Sequence, residues 1–311
     1  MKAGKVPSNI LNRSVINLIG RGPAIGTDAA VIPNGATGIL SATAVGENTL
    51  LQVEFAVYRA ANNIWAAGGD VLCFQAAIIC GRKTKEATLK DITRSICRAA
   101  GNCGGYLSGG HTTVNPSQEG FIVTITAIGT SVCDTCVRNA VPGDSIVVSK
   151  WIGLEGTAGL AESAEFDEVR QYFAASYLEP INEFRKWMMI KDEAKIAVSL
   201  GVHGMHDVSE GGLMGALYDM SECMQHGITV DLQAIPFKQE TIEVATRLKL
   251  NAYRIPSMGS LIMLCEDGAK LVEALADCCI PAAIIGKVTD NNDKIVYNSE
   301  EQGYLNRTGN P

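Results

Sequence analysis

Charge is scarce in this chain. Acidic and basic residues make up 19% of its 311 positions, against about 25% in ordinary soluble proteins, and the mean hydropathy is +0.12. An excess of uncharged surface suits a subunit interface. Cations are scattered: the longest basic runs are Arg82-Lys83 and Arg185-Lys186, and the formal net charge is −7. A phosphate backbone is held by several clustered cations, so nucleic acid is excluded as a main partner. Long apolar runs are missing too. No stretch approaches the roughly 18 residues of a membrane span, and Met1 to Arg21 lacks the apolar centre of a secretory leader. The expectation is a cytoplasmic protein with no membrane partner.

Several catalytic signatures are also absent. There is no Walker-type Gly-Lys-Ser/Thr, no Gly-x-Ser-x-Gly elbow and no His-Glu-x-x-His. The run Gly20-x-Gly22-x-x-x-Gly26 follows a helical stretch and is one residue too long for the dinucleotide fingerprint. Of the 10 cysteines, Cys73, Cys80, Cys97, Cys265, Cys278 and Cys279 lie in apolar strand or helix contexts. That reads as buried thiols in a reducing compartment rather than a disulfide framework. Only Cys133-Asp134-Thr135-Cys136 has metal or redox spacing, and it supplies half of a structural zinc's ligands with no histidine nearby.

What the chain does have is a glycine-studded stretch, Gly20 to Gly26, that delivers Asp28 to the start of a strand-like segment, Asp28 to Ile32. Glycine lets main-chain amides approach a polyphosphate, and a carboxylate beside them can hold Mg²⁺. Gly109-Gly110, followed by His111-Thr112-Thr113, reads as a second turn of this kind. His111 there could donate to phosphate or act as general acid or base. Lys150 stands at the end of a strand, and His206-Asp207 with Glu210 precede Gly211-Gly212 at an expected helix N-terminus, which favours anions. Against each stands a plainer role: turn glycine, cap, solvated lysine or hydrogen-bonded loop histidine.

The length suits two domains. Leu11, Val15 and Leu18 mark a short amphipathic helix, and Pro33-Asn34-Gly35 a hairpin returning over Thr37 to Val45. A long helix from Leu51 to Ala67 carries Asn62-Asn63 inside it, where asparagine is a poor helix former. Strand, helix and strand follow over 71–80, 84–100 and 121–128, and a turn at Arg138 to Asp144 sets the domain boundary, giving 1–143 and 144–311. In the second half Trp151 to Thr157 and Gly204 to Gly212 read as loops, and the tail after Ser299 as frayed. Strands and helices mix without strict alternation, so the fold class is α+β.

Taken in order, Gly26-Thr27-Asp28-Ala29-Ala30-Val31, Asn62-Asn63, Gly109-Gly110-His111-Thr112, Lys150 with Gly153-Leu154-Glu155-Gly156-Thr157, and His206-Asp207 with Glu210-Gly211-Gly212-Leu213 resemble the aminoimidazole ribonucleotide synthetase superfamily. Within it the likeness is closest to the hydrogenase-maturation carbamoyl dehydratases, over roughly Met1 to Asp290. The resemblance implies an N-terminal ATP-binding domain that pairs into a dimeric β-barrel and a C-terminal α/β sandwich domain. It implies ATP-dependent phosphoryl transfer to the oxygen of a small amide or carbonyl substrate, in a homodimer that also serves a partner protein of a maturation or biosynthetic pathway. Residue by residue it points to His111, Lys150, His206 and Asp207 as catalytic, to Asp28 as metal ligand, and to Gly26, Asp28, Asn63, Gly109, Gly110, Thr112, Glu210 and Gly211 as nucleotide-binding.

The departures bear on the metal. Family members carry an aspartate after the second strand and Asn-Asp on the long helix; here stand Ser41-Ala42-Thr43-Ala44 and Asn62-Asn63. Mg²⁺ prefers carboxylates, so a weakened Mg²⁺ site is expected. The dehydratases end in a cysteine tail and this chain ends Gly309-Asn310-Pro311, so the cyanide-forming reaction is not expected of it. The rival reading is a degenerate relative serving as a nucleotide-binding scaffold or regulatory subunit.

Overall fold

The computed structural model describes residues 10, 12–19, 27–34, 37–163, 166–167, 170–173 and 175–306. They form two compact units: 28–133, and 134–306 together with the described residues up to Thr27. The division falls between Cys133 and Asp134, ahead of the Gly143/Asp144 break read from sequence. In the amphipathic stretch the helix runs over residues 12–19, but Val15 and Leu18 are exposed.

The first unit holds β1 (Ala30–Asn34), β2 (Thr37–Glu47), α1 (Leu50–Ala66), β3 (Gly69–Gly81), α2 (Glu86–Asn102), β4 (Leu107–Asn115) and β5 (Phe121–Ser131). The sheet order is β1-β2-β5-β3-β4. Thr49 starts α1, its Oγ1 accepting from Gln52 N at 3.1 Å, the usual way to satisfy an orphan helix-end donor. Val53, Phe55, Val57, Ile64 and Trp65 of α1 are buried against β2, β5 and β3, so the helix is apolar nearly all round. The inward residues of the sheet alternate along each strand: Leu40 and Ala42, Val123, Ile125 and Ala127, Phe74, Ala76 and Ile78.

The centre of the opposite face carries no charge, Glu47 and Asp70 standing in the rows that flank it. In direct register across three strands stand Ser41, Ile128 and Cys73, then Thr43, Thr126 and Gln75, then Val45, Thr124 and Ala77. Thr43 and Thr126 share a 3.0 Å hydrogen bond, and all nine residues are half-buried or exposed. The sheet is open, with β1 and β4 at its edges, so the expected barrel is not closed within one chain.

Gly109-Gly110 does not form a turn, as the sequence reading had it. Both lie inside β4, which runs parallel to β3 with Gly110 beside Ala76 and His111 beside Ala77. The strands approach so closely that a Cβ on Gly110 would sit 1.8 Å from the Ala76 carbonyl oxygen. The glycine serves close packing of two backbones.

The second unit contains β6 (Ser145–Ser149), α3 (Leu154–Leu160), α4 (Ala175–Glu183), α5 (Lys191–Ser199), β7 (Gly204–Val208), α6 (Gly212–Met224), β8 (Gly227–Asp231), α7 (Gln239–Arg247), β9 (Ser260–Cys265), α8 (Gly268–Asp277), β10 (Ala282–Thr289), β11 (Lys294–Asn298) and β12 (Glu301–Tyr304). Its sheet order is β12-β11-β8-β10-β6-β9-β7. Strands β6, β7 and β9 are buried throughout. Ile146, Val148, Leu213, Leu217, Met220, Ile228, Ile262 and Leu264 form the centre of the core between sheet and α6.

Three sequence expectations change here. Gly204–Val208 is a buried edge strand in register with β9, not a loop. Trp151–Thr157 runs into α3, and its acid is structural: Glu155 is buried and accepts from Met258 N at 3.0 Å, while Thr157 bonds Thr241 at 3.1 Å. The tail is ordered through β12, which pairs antiparallel with β11.

Candidate functional site

In the first unit Asp28 sits half-buried at the bend that leads into β1. Gly26 lies outside the described residues. On α1 Asn62 is fully buried and Asn63 half-buried, so the polar step divides between the helix interior and its partly open side. Gly109, Gly110, His111 and Thr112 are all exposed along β4. Among the described residues β4 is an edge strand that pairs through one side only, its other side presenting main-chain N–H and C=O groups. The expected turn is thus a straight row of amides with an imidazole and a hydroxyl beside it.

In the second unit His206 and Asp207 lie on β7, both buried at 8% and 4% exposure. Their ligand atoms come within 4.8 Å of each other. An imidazole nitrogen and a carboxylate oxygen at that spacing can both reach one phosphate oxygen or one divalent cation. Two residues past β7, Glu210 is exposed, and Gly211 caps α6 with φ 88° and no side-chain cap. Gly212 follows at φ 62°, and a Cβ there would lie 2.6 Å from the Tyr253 carbonyl oxygen. Position 212 is therefore restricted to glycine on both counts.

Lys150 has other employment. Its side chain is 4% exposed, and Nζ donates to the carbonyls of Trp187 at 3.0 Å and Met189 at 2.7 Å. The Glu193 carboxylate stands 2.5 Å away. Burial pushes the ammonium down from the usual lysine range, and the charges of Glu193 and Asp192 oppose that. Two hydrogen bonds and a buried ion pair hold the ammonium, so the structure makes Lys150 an interior tie between β6, the segment before α5, and α5 itself. This replaces the reading of Lys150 as a group held ready for a transferred phosphate.

Sequence reasoning missed two features. Glu193 follows the start of α5 with nothing local to mark it as a lysine's partner. Cys136, matched by spacing with Cys133, instead accepts from Arg138 Nε at 3.4 Å, and its thiol is held well below the ordinary thiol range, with Cys223 on α6 the first cause. A cleft elsewhere in this unit is lined by Glu179, Phe184, Trp187, Lys238 and Glu240, none of which the sequence reading had singled out.

A five-stranded sheet backed by two helices and a seven-stranded mixed sheet with its own core define a two-domain protein of mixed α and β structure. The family model for AIR synthase related protein, N-terminal domain, matches residues 26–131, and that for the C-terminal domain matches 141–298. The chain belongs to the AIR synthase related family. It is 29% identical over 228 residues to carbamoyl dehydratase HypE of Cupriavidus necator, covering 70% of this chain and 62% of that relative. The chain thus spans less than two thirds of that protein's length. Among solved structures, HypE in its complex with HypF superimposes with TM-score 0.78 at 20% identity, over 96% of this chain and 99% of that one. Hydrogenase maturation protein HypE in complex with ATP gives 0.74 at 18%, over 99% and 96%. These likenesses show the shared fold.

Proposed function

We propose that this chain binds ATP and transfers its terminal phosphate to the oxygen of a small amide or carbonyl substrate. The observation that carries this reading is β4. A glycine pair strips one strand edge of side chains and sets His111 and Thr112 beside the bare amides, an arrangement suited to phosphate oxygens. The ATP-bound relative of like fold supports it.

Asp28 is the acid that would hold Mg²⁺ in the first unit; its half-buried carboxylate suits a hard cation, and Ser41 and Asn63 offer only neutral oxygens. Mg²⁺ is commonly held by one or two carboxylates together with substrate phosphates, so this donor set fits a metal that arrives with the nucleotide. Once bound, the ion would neutralise charge on the phosphates. In the second unit His206 and Asp207 would hold or move a proton at the substrate, and Glu210-Gly211 would border the anion at the start of α6. The uncharged centre of the outer face of the first unit's sheet supports a homodimer, and the HypF-bound relative supports a protein partner.

Calorimetric titration with Mg·ATP, followed by measurement of ADP release with carbamoylated and simple amide substrates, tests this. Binding with release supports the enzyme, with His111→Ala expected to lower release about 10²–10⁴-fold. Binding without release on any substrate would favour the scaffold reading. No binding at all removes the proposal.

A further inference from the structure

We propose that the cleft between α4 and the start of α7 binds a guanidinium group, the planar cation of an arginine side chain or of a small guanidine. The cleft encloses about 460 Å³, room for one such group and its stem, and every residue lining it belongs to the second unit.

Its aromatic wall comes from the two indoles of that unit. Ile152 pairs in parallel with Phe237, its N donating to the Pro236 carbonyl at 2.9 Å, and this bridge sets Trp151 beside Lys238. The Lys238 ammonium rests 3.6 Å from the centre of the Trp151 ring. Trp187 meets the same ring edge to face, with 5.4 Å between centroids and 85° between planes. Both main chains are tied down: the Trp151 carbonyl accepts from Ser260 Oγ at 2.8 Å, and the Trp187 carbonyl from the buried Lys150 Nζ at 3.0 Å. The wall is therefore in place before a ligand arrives, which lowers the ordering cost of binding. It already holds one cation, the protein's own lysine, by the attraction a ring face exerts on positive charge.

The remaining lining is acidic. Glu179 and Glu183 stand one turn apart on α4, a like-charged spacing that works against the helix, and Glu240 lies in the first turn of α7. Glu183 is paired with Lys186, whereas Glu179 and Glu240 have no ion-pair partner among the described residues. Two open carboxylates beside a half-buried indole suit a guanidinium better than an ammonium. The guanidinium is planar and weakly hydrated, so it can lie against the ring while its edge donates to a carboxylate; an ammonium is compact and keeps its water.

The test uses the full chain labelled with nitrogen-15 and follows the indole N–H signals of Trp65, Trp151 and Trp187 during titration with ethylguanidinium chloride. Trp65 is buried in the other unit and serves as the internal control. The expected result is saturable movement of the Trp187 and Trp151 signals with Trp65 still, and binding of ethylammonium about fivefold weaker or less. Glu179→Gln and Glu240→Gln should each weaken binding about threefold, and neither removes an ion pair on which the fold depends. Lys238→Met takes away the resident cation and should tighten binding about threefold. A pentapeptide with one central arginine separates the sources: movement of the same signals assigns a protein partner's side chain, and none assigns a free small guanidine. Ethylguanidinium that binds no better than ethylammonium, or binding unchanged in the double glutamine variant, would overturn the proposal. So would movement of these signals by inorganic phosphate that is lost in Lys238→Met. No residue of the cleft is among those proposed for ATP, so failure here and failure to bind Mg·ATP are separate results.

Discussion

At Lys150 the buried ammonium is held by two main-chain carbonyls and by the buried carboxylate of Glu193. Removing one member of a buried ion pair leaves the other uncompensated, which costs about 3–5 kcal/mol, whereas replacing both by apolar groups of similar size is often close to neutral. Lys150→Met should therefore lower the unfolding free energy by that amount in denaturant titration, and Lys150→Met with Glu193→Met should recover most of it. A lysine that served only the reaction would show the opposite pattern, with stability intact. Cys136 offers a second test at this scale. Its folded-state pKa is depressed to about 5, so the stability its thiolate contributes is full above the ordinary thiol value and is lost as pH falls through about 5. Thermal midpoints of the chain and of Cys136→Ser should converge on acidification, and the thiolate's ultraviolet absorbance should titrate near 5 only when Cys136 is present.

Elements were legible in the sequence wherever the apolar pattern was uninterrupted. The helix Leu50–Ala66 and the strand Phe121–Ser131 fall where the sequence reading placed a helix over Leu51 to Ala67 and a strand over 121–128. The pattern failed at β7, because His206 and Asp207 break an apolar run while being buried in register with Ile262 and Leu261. It failed at β4 because two glycines imitate a turn, although the need is the close approach of β3. Both failures concern long-range pairing, which no local window contains, and both coincide with candidate site residues. At this scale Gly110→Ala is the sharper probe. A methyl 1.8 Å from a carbonyl oxygen cannot be accommodated without moving β4, so a loss of about 1–3 kcal/mol is expected, together with weaker Mg·ATP binding. Gly109→Ala, whose Cβ meets nothing within 4 Å, should affect stability less, since only its backbone angle is at issue.

For the whole molecule, low charge content pointed to an interface without saying where, since composition carries no address. The register supplies one: nine neighbouring positions on β2, β5 and β3 face away from α1 without a single charge. A sheet face that met only water would have no reason to exclude lysine and glutamate from all of them. If a second copy covers this face, the chain sediments at twice its 33.0 kDa. Thr126 stands at the centre of the patch, flanked in register by Thr43 and Gln75. Thr126→Lys would place an unpaired ammonium between two such sheets, where desolvation of a charge costs several kcal/mol, and should yield monomers at micromolar concentration. Thr126→Val, which keeps the shape and removes only the hydroxyl's bond to Thr43, should remain dimeric. Sedimentation velocity separates these outcomes: a wild-type chain that runs as a monomer, or a lysine variant that stays paired, would leave this face without a partner copy.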